Sequence, residues 1–212
     1  MTDTPNRKRG RPSSKASDDL KPALLNAAVD LFARDGFDGV SLSQVAGSVG
    51  ADVALIRYYF GSKADLWDAS MRRLSEQFAS DIARILKPND GSATGALKAI
   101  IHAFVHTSAK WPQVSRVIVF DGDKNDARGD AIHNYFVAPF YAGLTDLIAK
   151  AVAEGCIADV SPRTVFFMIT HGGSFPMALP ALTNRFEGGD ILSHDAIAAH
   201  ADAIIALLIR ET

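Results

Sequence analysis

Apolar residues recur at helical spacing along most of the chain, and the alternation that marks a half-buried strand is almost absent. The first helical stretch carries one apolar stripe at three- and four-residue steps: Leu20, Leu24, Ala27, Ala28, Leu31 and Phe32. Gly36 follows this stripe and predicts the end of the helix, with Phe37 placed to pack back against it. The pattern therefore predicts an all-α protein.

Three further helices are predicted from capping signals. Ser41 opens a capping box for a short helix that ends at Gly50. Asp52 is a suitable N-cap for a third short helix. Ser62 caps a fourth helix, which covers residues 62–86 and ends before a proline.

Two short helices joined by a tight turn at Gly50 are typical of a helix-turn-helix, whose second helix lies in the major groove of DNA. Periodicity leaves five residues of this second element facing outward: Asp52, Val53, Ala54, Arg57 and Tyr58. Arg57 can donate to a phosphate or a guanine edge, and tyrosine hydroxyls can reach phosphate oxygens. Lys63 adds charge at the start of the next helix, where free backbone N–H groups favour an anion.

After a polar link, a second and larger helical block begins. Its helical stretches are predicted at 93–109, 112–120, 130–154, 162–182 and 193–210. The architecture expected is a small three-helix head joined to a larger helical bundle.

Charge is distributed unevenly along a chain of 212 residues whose formal net charge is −2. The first 17 residues hold five basic side chains against Asp3 alone, a local charge of +4, so the remaining residues sum to −6. Within this arm, Arg-Gly-Arg-Pro resembles the core of an AT-hook, which would place Arg9 and Arg11 in a minor groove. The alternative is a disordered solubilising tail.

The segments AAVDLFARDGFDGVS and SLSQVAGSVGADVALIRYYFGSKADL, within residues 18–67, resemble the DNA-binding head of the TetR family of transcriptional regulators. The block from 93 to 212 resembles the family only in length, helical content and order. The resemblance implies a homodimer that reads a palindromic operator in double-stranded DNA. It also implies a small-molecule effector pocket in the larger domain and a dimer contact on the last two long helices.

The resemblance assigns DNA-contact positions to seven residues of the head: Ser41, Ser43, Asp52, Val53, Tyr58, Tyr59 and Lys63. Two positions depart from the family pattern. Arg57 stands where many members have a first tyrosine, and Val53-Ala54 replaces the common Lys/Ser-Gly. The operator sequence can therefore not be transferred from a relative.

The predicted organisation has three parts. Residues 1–17 form a disordered basic arm, residues 18–63 a helix-turn-helix DNA-binding domain, and residues 64–212 an effector-binding and dimerisation domain. An apolar cavity with a few polar groups is the usual ligand site. Aromatic and polar residues of the middle helices are the candidates to line it: Trp67, Phe104, Trp111, Tyr135, Phe136, Phe140, Phe167 and His171. The alternative for each is core packing.

A single cysteine, Cys156, cannot form an internal disulfide, which suits a reducing compartment. No uninterrupted apolar run approaches the roughly 20 residues of a membrane span, so we expect a cytoplasmic protein without a membrane partner. His102 and His106 share a helix face, but two ligands do not make a metal site. We expect no cofactor and no metal.

A ligand-responsive repressor accounts for most of these patterns, and two rivals remain. One is a small helical enzyme using His171 and Ser174, or a metal at His102 and His106, whose activity would survive deletion of residues 1–60. The other is an architectural DNA-binding protein without an effector, which would show weak sequence preference and no ligand effect.

Overall fold

The computed structural model describes residues 14–86, 88 and 90–210, and these ranges contain helices and connecting turns but no strand, which confirms the all-α prediction. The head and connecting helix comprise α1 (Ser14–Gly39), α2 (Leu42–Ser48), α3 (Val53–Phe60) and α4 (Lys63–Ile85). The larger part comprises α5 (Ala93–Lys110), α6 (Gln113–Asp121), α7 (Ala127–Ile132), a π-helical segment (His133–Val137), α8 (Ala138–Ala153), α9 (Pro162–Ala178), α10 (Pro180–Thr183) and α11 (His194–Leu208).

Helix α1 begins earlier than the sequence indicated, at Ser14, so the last residues of the segment assigned to the basic arm are helical. Arg9 and Arg11 lie outside the described residues. The proposed minor-groove role of the arm stays a prediction.

The predicted caps form as expected. Ser41 and Gln44 make a reciprocal capping box, with the Gln44 amide donating to Ser41 Oγ at 3.2 Å and the Ser41 amide donating to Gln44 Oε1 at 2.7 Å. Asp52 accepts from the Ala54 amide at 2.8 Å. Ser62 and Asp65 form a second box at the start of α4. These bonds satisfy orphan donors at the helix starts, which fixes where α2, α3 and α4 begin.

Two apolar cores hold the molecule together. The first packs α1, α3 and α4 around Phe32, Ile56 and Leu66 and extends to α6 through Val117. The second packs α5, α8, α9 and α11 around residues such as Ile148. Because α6 contributes to the first core, the larger part and the head are packed directly together.

Helix α9 approaches α5 closely at Gly173, where an added Cβ would lie 3.1 Å from Val105. Two adjacent glycines, Gly172 and Gly173, lie on this helix, and Gly173 permits the close approach. Gly172 instead faces open space, so Gly173 lies on the side of α9 that packs against α5 and Gly172 lies on the exposed side.

Helices α7 and α8 form one continuous helical stretch through the π-helical segment. This stretch, Ala127–Ala153, is the one helix among the described residues that is long and apolar enough to cross a membrane by length and composition alone. That property is weak evidence for a span, because helices of soluble bundles share it. Here α8 packs against α5 and α9 and carries Asp146 and Lys150.

Gly36 breaks α1 in a conformation that only glycine adopts readily, with φ 70° and ψ 170°. We expect Gly36→Ala to lower the free energy of unfolding by about 1–3 kcal/mol. Gly47, inside α2 with open space around its Cα, is the matched control. Gly47→Ala should raise stability by about 0.5–1 kcal/mol. Urea unfolding followed by circular dichroism measures both, and equal effects of the two substitutions would contradict the assignment.

Candidate DNA-binding face and ligand cavity

Helix α3 presents one face to solvent and the other to the core of the head. Ala54, Arg57 and Tyr58 are exposed, and the Tyr58 side chain retains 81% of its accessible surface. Ile56, on the opposite side, is completely buried. The side chains of the exposed face are therefore free to contact a partner. We call Val53, Ala54, Arg57 and Tyr58 the recognition face.

The two tyrosines have different surroundings. Tyr59 is half-buried and packs against the core of the head, and its ring meets that of Tyr58 edge-on at 5.3 Å. The adjacent pair therefore consists of a mainly structural ring and an exposed ring. Among the tyrosines of α3, Tyr58 is the stronger candidate for a DNA contact.

Several predicted DNA-contact residues already have structural partners. Ser41 and Asp52 cap α2 and α3 through their side-chain oxygens. Ser43 is exposed on α2. Val53 is partly buried and packs against the core of the head, so it can contact DNA only from the edge of the recognition face. These positions stay predicted DNA contacts, but their side chains differ in how free they are to bind DNA.

Lys63 lies at the junction between the head and the larger part. Its Nζ is 4.4 Å from the centroid of the Phe37 ring, and the guanidinium carbon of Arg128, in the first turn of α7, is 4.5 Å from the same centroid. Cations placed over an aromatic ring are attracted by its quadrupole. We call Phe37, Lys63 and Arg128 the Phe37 junction.

Arg128 is also held by two carboxylates. It bonds to Asp121 Oδ1 at 3.0 Å and to Asp126 Oδ2 at 3.2 Å. Asp121 is almost completely buried, and burial raises the pKa of its carboxyl, while the charge of Arg128 opposes that shift. The turn between α6 and α7 thus positions an arginine of α7 against the head.

A cavity of about 710 Å³ lies inside the larger part. Its wall comes from α4, α5, α6, the π-helical segment and α9, together with the start of α8. Its volume falls in the range of small-molecule sites. Aromatic, aliphatic and hydroxyl side chains form most of the lining, which includes Ser75, Phe78, Ile82, Phe104, Ser108, Ser115, Ile118, Gly122, Asp123, Phe140, Phe166, Thr170, His171 and Ser174.

Aromatic rings form a connected wall of this cavity. Phe104 and Phe140 are stacked at 5.2 Å with an interplanar angle of 16°. Phe78 meets Phe104 edge-on at 5.9 Å, and Phe166 lies 6.1 Å from Phe140. Such arrangements favour flat apolar guests, because aromatic rings stack or meet edge to face.

The hydroxyl groups of the lining are mostly paired within the protein. Ser115 donates to Ser174 Oγ at 2.8 Å, and Ser174 donates to the carbonyl of Thr170 at 2.6 Å. Thr170 donates to the carbonyl of Phe166. The buried hydroxyl of Ser108 has no hydrogen-bond partner among the described residues. His171 lies at the edge of the cavity, and partial burial lowers the pKa of its imidazole.

Six of the eight sequence candidates for the pocket line this cavity: Phe104, Tyr135, Phe136, Phe140, Phe167 and His171. Trp67 and Trp111 do not. Trp67 is buried in the core of the head, where it meets Phe37 edge-on. The indole N–H of Trp111 donates to Asp81 at 2.7 Å, beside the Lys110 ammonium at 2.6 Å. Lys110 and Trp111 hold the pKa of the Asp81 carboxyl well below its usual range.

The predicted list omitted several lining residues. Phe78 and Ile82 recur on α4 at helical spacing, which indicates an apolar face but not what it packs against. Ser108, Thr170 and Ser174 carry no local signal, because isolated hydroxyl residues occur throughout helices. The lining could be found only once α4, α5, α6 and α9 were brought together.

His102 and His106 do not form a metal site with any third ligand in the described part of the chain. Their rings are stacked at 6.4 Å, and His102 Nε2 lies 3.2 Å from an Asp202 carboxylate oxygen. His171 and Ser174 line the cavity, and the Ser174 hydroxyl donates to the carbonyl of Thr170.

The fold and the exposed α3 face define a helix-turn-helix protein with a separate ligand-sized cavity. Residues 24–69 match the family model described as bacterial regulatory proteins, tetR family. The regulator RutR of Escherichia coli K12 is 28% identical over 177 residues, covering 80% of this chain and 81% of RutR. The repressor SCO4008 of Streptomyces coelicolor is 21% identical over 178 residues, covering 84% and 88% of the two chains.

Solved structures agree on the fold. The hemolysin II transcriptional regulator HlyIIR superposes with a TM-score of 0.67 at 18% identity, covering 92% of this chain and 99% of that one. The match places the head, residues 24–69, in the TetR family of transcriptional regulators. Together with the likeness to RutR over most of the chain, it identifies a DNA-binding regulator rather than an enzyme.

Proposed function

We propose that the protein is a cytoplasmic repressor that binds a palindromic operator as a homodimer and is released by a small-molecule effector. The observation that carries this proposal is that one helix, α4, belongs to both candidate sites. Its first turn holds Lys63 against the head, and its second half contributes Phe78 and Ile82 to the cavity. A ligand that changes the position of α4 therefore changes the position of the head.

A second connection runs through the end of α6. Ile118 and Gly122 line the cavity. Phe120, between them, packs against Gly36, with a ring carbon 3.4 Å from the place where a Cβ would stand. A few residues further on, Arg128 reaches Phe37. The cavity wall thus contacts the end of α1 as well as α4.

The π-helical segment is fastened to α4 in the same region. The Tyr135 hydroxyl donates to Asp68 Oδ1 at 2.8 Å and accepts from Arg72 at 2.8 Å. Tyr135 also lines the cavity. An effector that displaces this ring would disturb hydrogen bonds to the first half of α4, near the head.

The size of the response is bounded by thermodynamics. An effector shifts the equilibrium between two head arrangements only by the difference of its affinities for them. Release of operator DNA therefore requires a ligand that favours a head separation other than the one matched to the groove. For a two-fold dimer the matched separation is about 34 Å, one turn of DNA, or a multiple of it.

An exposed apolar surface supports the homodimer. It lies on α9 and α11 and includes Met168, Phe175 and Leu207, the last with 82% of its surface accessible. Small exposed residues, Gly172 and Ala203, lie on the same two helices and permit close helix packing. The His200 ring, 2.8 Å from the Gly172 carbonyl, ties the two helices together. We call Met168, Gly172, Phe175, Ala203 and Leu207 the α9–α11 face.

The proposal is tested by footprinting the full-length protein on the DNA upstream of its own gene and of the neighbouring genes. We expect protection of a palindrome whose half-sites lie on one face of the duplex. If the two heads together contact at least about six phosphates, the binding constant should fall by roughly 1000-fold between 50 and 200 mM salt. Binding that is equally tight to any sequence would contradict the proposal, since it is what the architectural alternative predicts.

A further inference from the structure

We propose that the cavity selects an uncharged, mainly aromatic or aliphatic molecule whose single hydrogen-bonding group pairs with the Ser108 hydroxyl. This inference rests on the proposed function, because it takes the cavity to be the effector site. It adds the chemical class of the effector and the atom that orients it.

The apolar walls of the cavity favour a ligand that is mainly apolar. The rings of Phe78, Phe104, Phe140 and Phe166 succeed one another along one side of the cavity at centroid distances of 5.2–6.1 Å. Aliphatic side chains such as Ile82 and Ile118 extend this surface. A guest of drug size would bury most of its own surface against such walls, and burial of apolar area is the main source of affinity.

The lining also excludes a charged guest. Among the described residues that form the wall, none is a lysine or an arginine, so a phosphate, sulfonate or carboxylate would lose its hydration without gaining an ion pair. Burial lowers the pKa of His171, which favours the neutral form of this ring. The other histidine of the lining, His133, is exposed to solvent. The acidic member of the lining, Asp123, is exposed in the turn after α6 and offers no buried counter-ion to a cation.

Ser108 supplies the polar anchor. Its side chain is nearly inaccessible, and its oxygen has no hydrogen-bond partner in the described chain, whereas Ser75, Ser115, Thr170 and Ser174 are all paired. A buried unpaired hydroxyl is costly, so a ligand group that pairs with it gains affinity. Ser108 follows Phe104 by one helical turn, which places the hydroxyl beside the stacked rings.

The charge rule is tested with two dyes that share one ring system. N-phenyl-1-naphthylamine is neutral, and 8-anilino-1-naphthalenesulfonate is the same skeleton with a sulfonate. We expect fluorescence titration of the full-length protein without DNA to give one site per chain for the neutral dye. The affinity of the neutral dye should be at least about 10-fold higher than that of the sulfonate, a difference of about 1.4 kcal/mol in binding free energy. Equal affinities, or tighter binding of the cationic dye crystal violet, would overturn the inference.

The anchor is tested by removing either partner of the hydrogen bond. Ser108→Ala should weaken the naphthylamine, which has an N–H group, by about 5-fold. It should leave 1-benzylnaphthalene, which replaces that group with CH₂ and is measured by displacement, within about 2-fold. Ser80→Ala, at an exposed serine of α4 outside the cavity, is the control. An equal loss for both ligands would assign Ser108 to packing and overturn the anchor.

The experiments distinguish a wrong effector class from a wrong proposed function. A footprinted palindrome together with a cavity that prefers a charged dye would leave the repressor intact and remove the effector class. Selective, Ser108-dependent binding of the neutral dye without any specific operator would do the reverse.

Discussion

Introducing charge into the α9–α11 face is expected to lower the affinity for a palindromic operator by roughly 100-fold to 10,000-fold, the advantage of two linked heads over one. The variant is Ala203→Glu combined with Leu207→Glu, both on the exposed side of α11. Charges buried in a two-fold interface lose their hydration, and related copies of each charge lie close together near the axis. The protein should therefore become monomeric while its helices stay folded.

Light scattering coupled to size-exclusion chromatography gives the mass, circular dichroism gives the helical content, and fluorescence anisotropy gives the affinity for the operator. Ala149→Glu, on the exposed side of α8, adds one charge away from the face and should leave all three unchanged. A double variant that still elutes as a dimer would place the dimer contact elsewhere. A monomer with undiminished operator affinity would show that operator binding does not require two linked heads.

Removal of the Arg57 side chain is expected to reduce operator affinity by about 10-fold to 100-fold, the usual value of a good contact between arginine and a guanine edge. Arg57 is exposed on the recognition face beside Tyr58, and it forms no ion pair within residues 14–86, 88 and 90–210. Anisotropy titrations of Arg57→Ala on the operator, and on operators changed at one base pair, measure both affinity and selectivity.

The same titrations separate two roles for Arg57. A base contact would relax selectivity at one position, whereas a phosphate contact would weaken all sequences equally and reduce the salt slope by about one. Arg34→Ala removes a cation from α1 of the same head, where Arg34 is exposed and bonded to Asp35 at 2.7 Å, and should have little effect. If Arg57→Ala behaved like this control, the recognition face would be wrongly assigned.

Local signals in the sequence were sufficient for the helical elements of the head. Ser41, Asp52 and Ser62 are followed by donors or acceptors at the spacing that a cap requires, and all three cap a helix in the structure. Cap chemistry involves residues two or three positions apart, so periodicity and spacing suffice to locate it. The π-helical segment at His133–Val137 was not predicted, because its extra residue per turn leaves no distinct pattern.

The cavity was only partly predictable for the opposite reason. Aromatic content identified Phe104 and Phe140, but it equally suggested Trp67 and Trp111, which serve the head core and the Asp81 contact. Whether an aromatic side chain faces a cavity or a neighbouring helix depends on residues far away in sequence. Ser108 shows the same limit, since its lack of a partner becomes visible only when the surrounding helices are in place.

The Phe37 junction also has a consequence for protein engineering. Lys63 and Arg128 come from two parts of the chain that a designer would separate when grafting this head onto another regulator's sensor. A graft that ended at residue 86 would keep Phe37 and Lys63 but lose Arg128 together with Phe120, the residue that packs on Gly36. Such a chimera should bind the operator, but it should not respond to the inducer of the regulator that supplies the sensor. Transplanting residues 118–128, from the end of α6 to the start of α7, along with the head would restore the response.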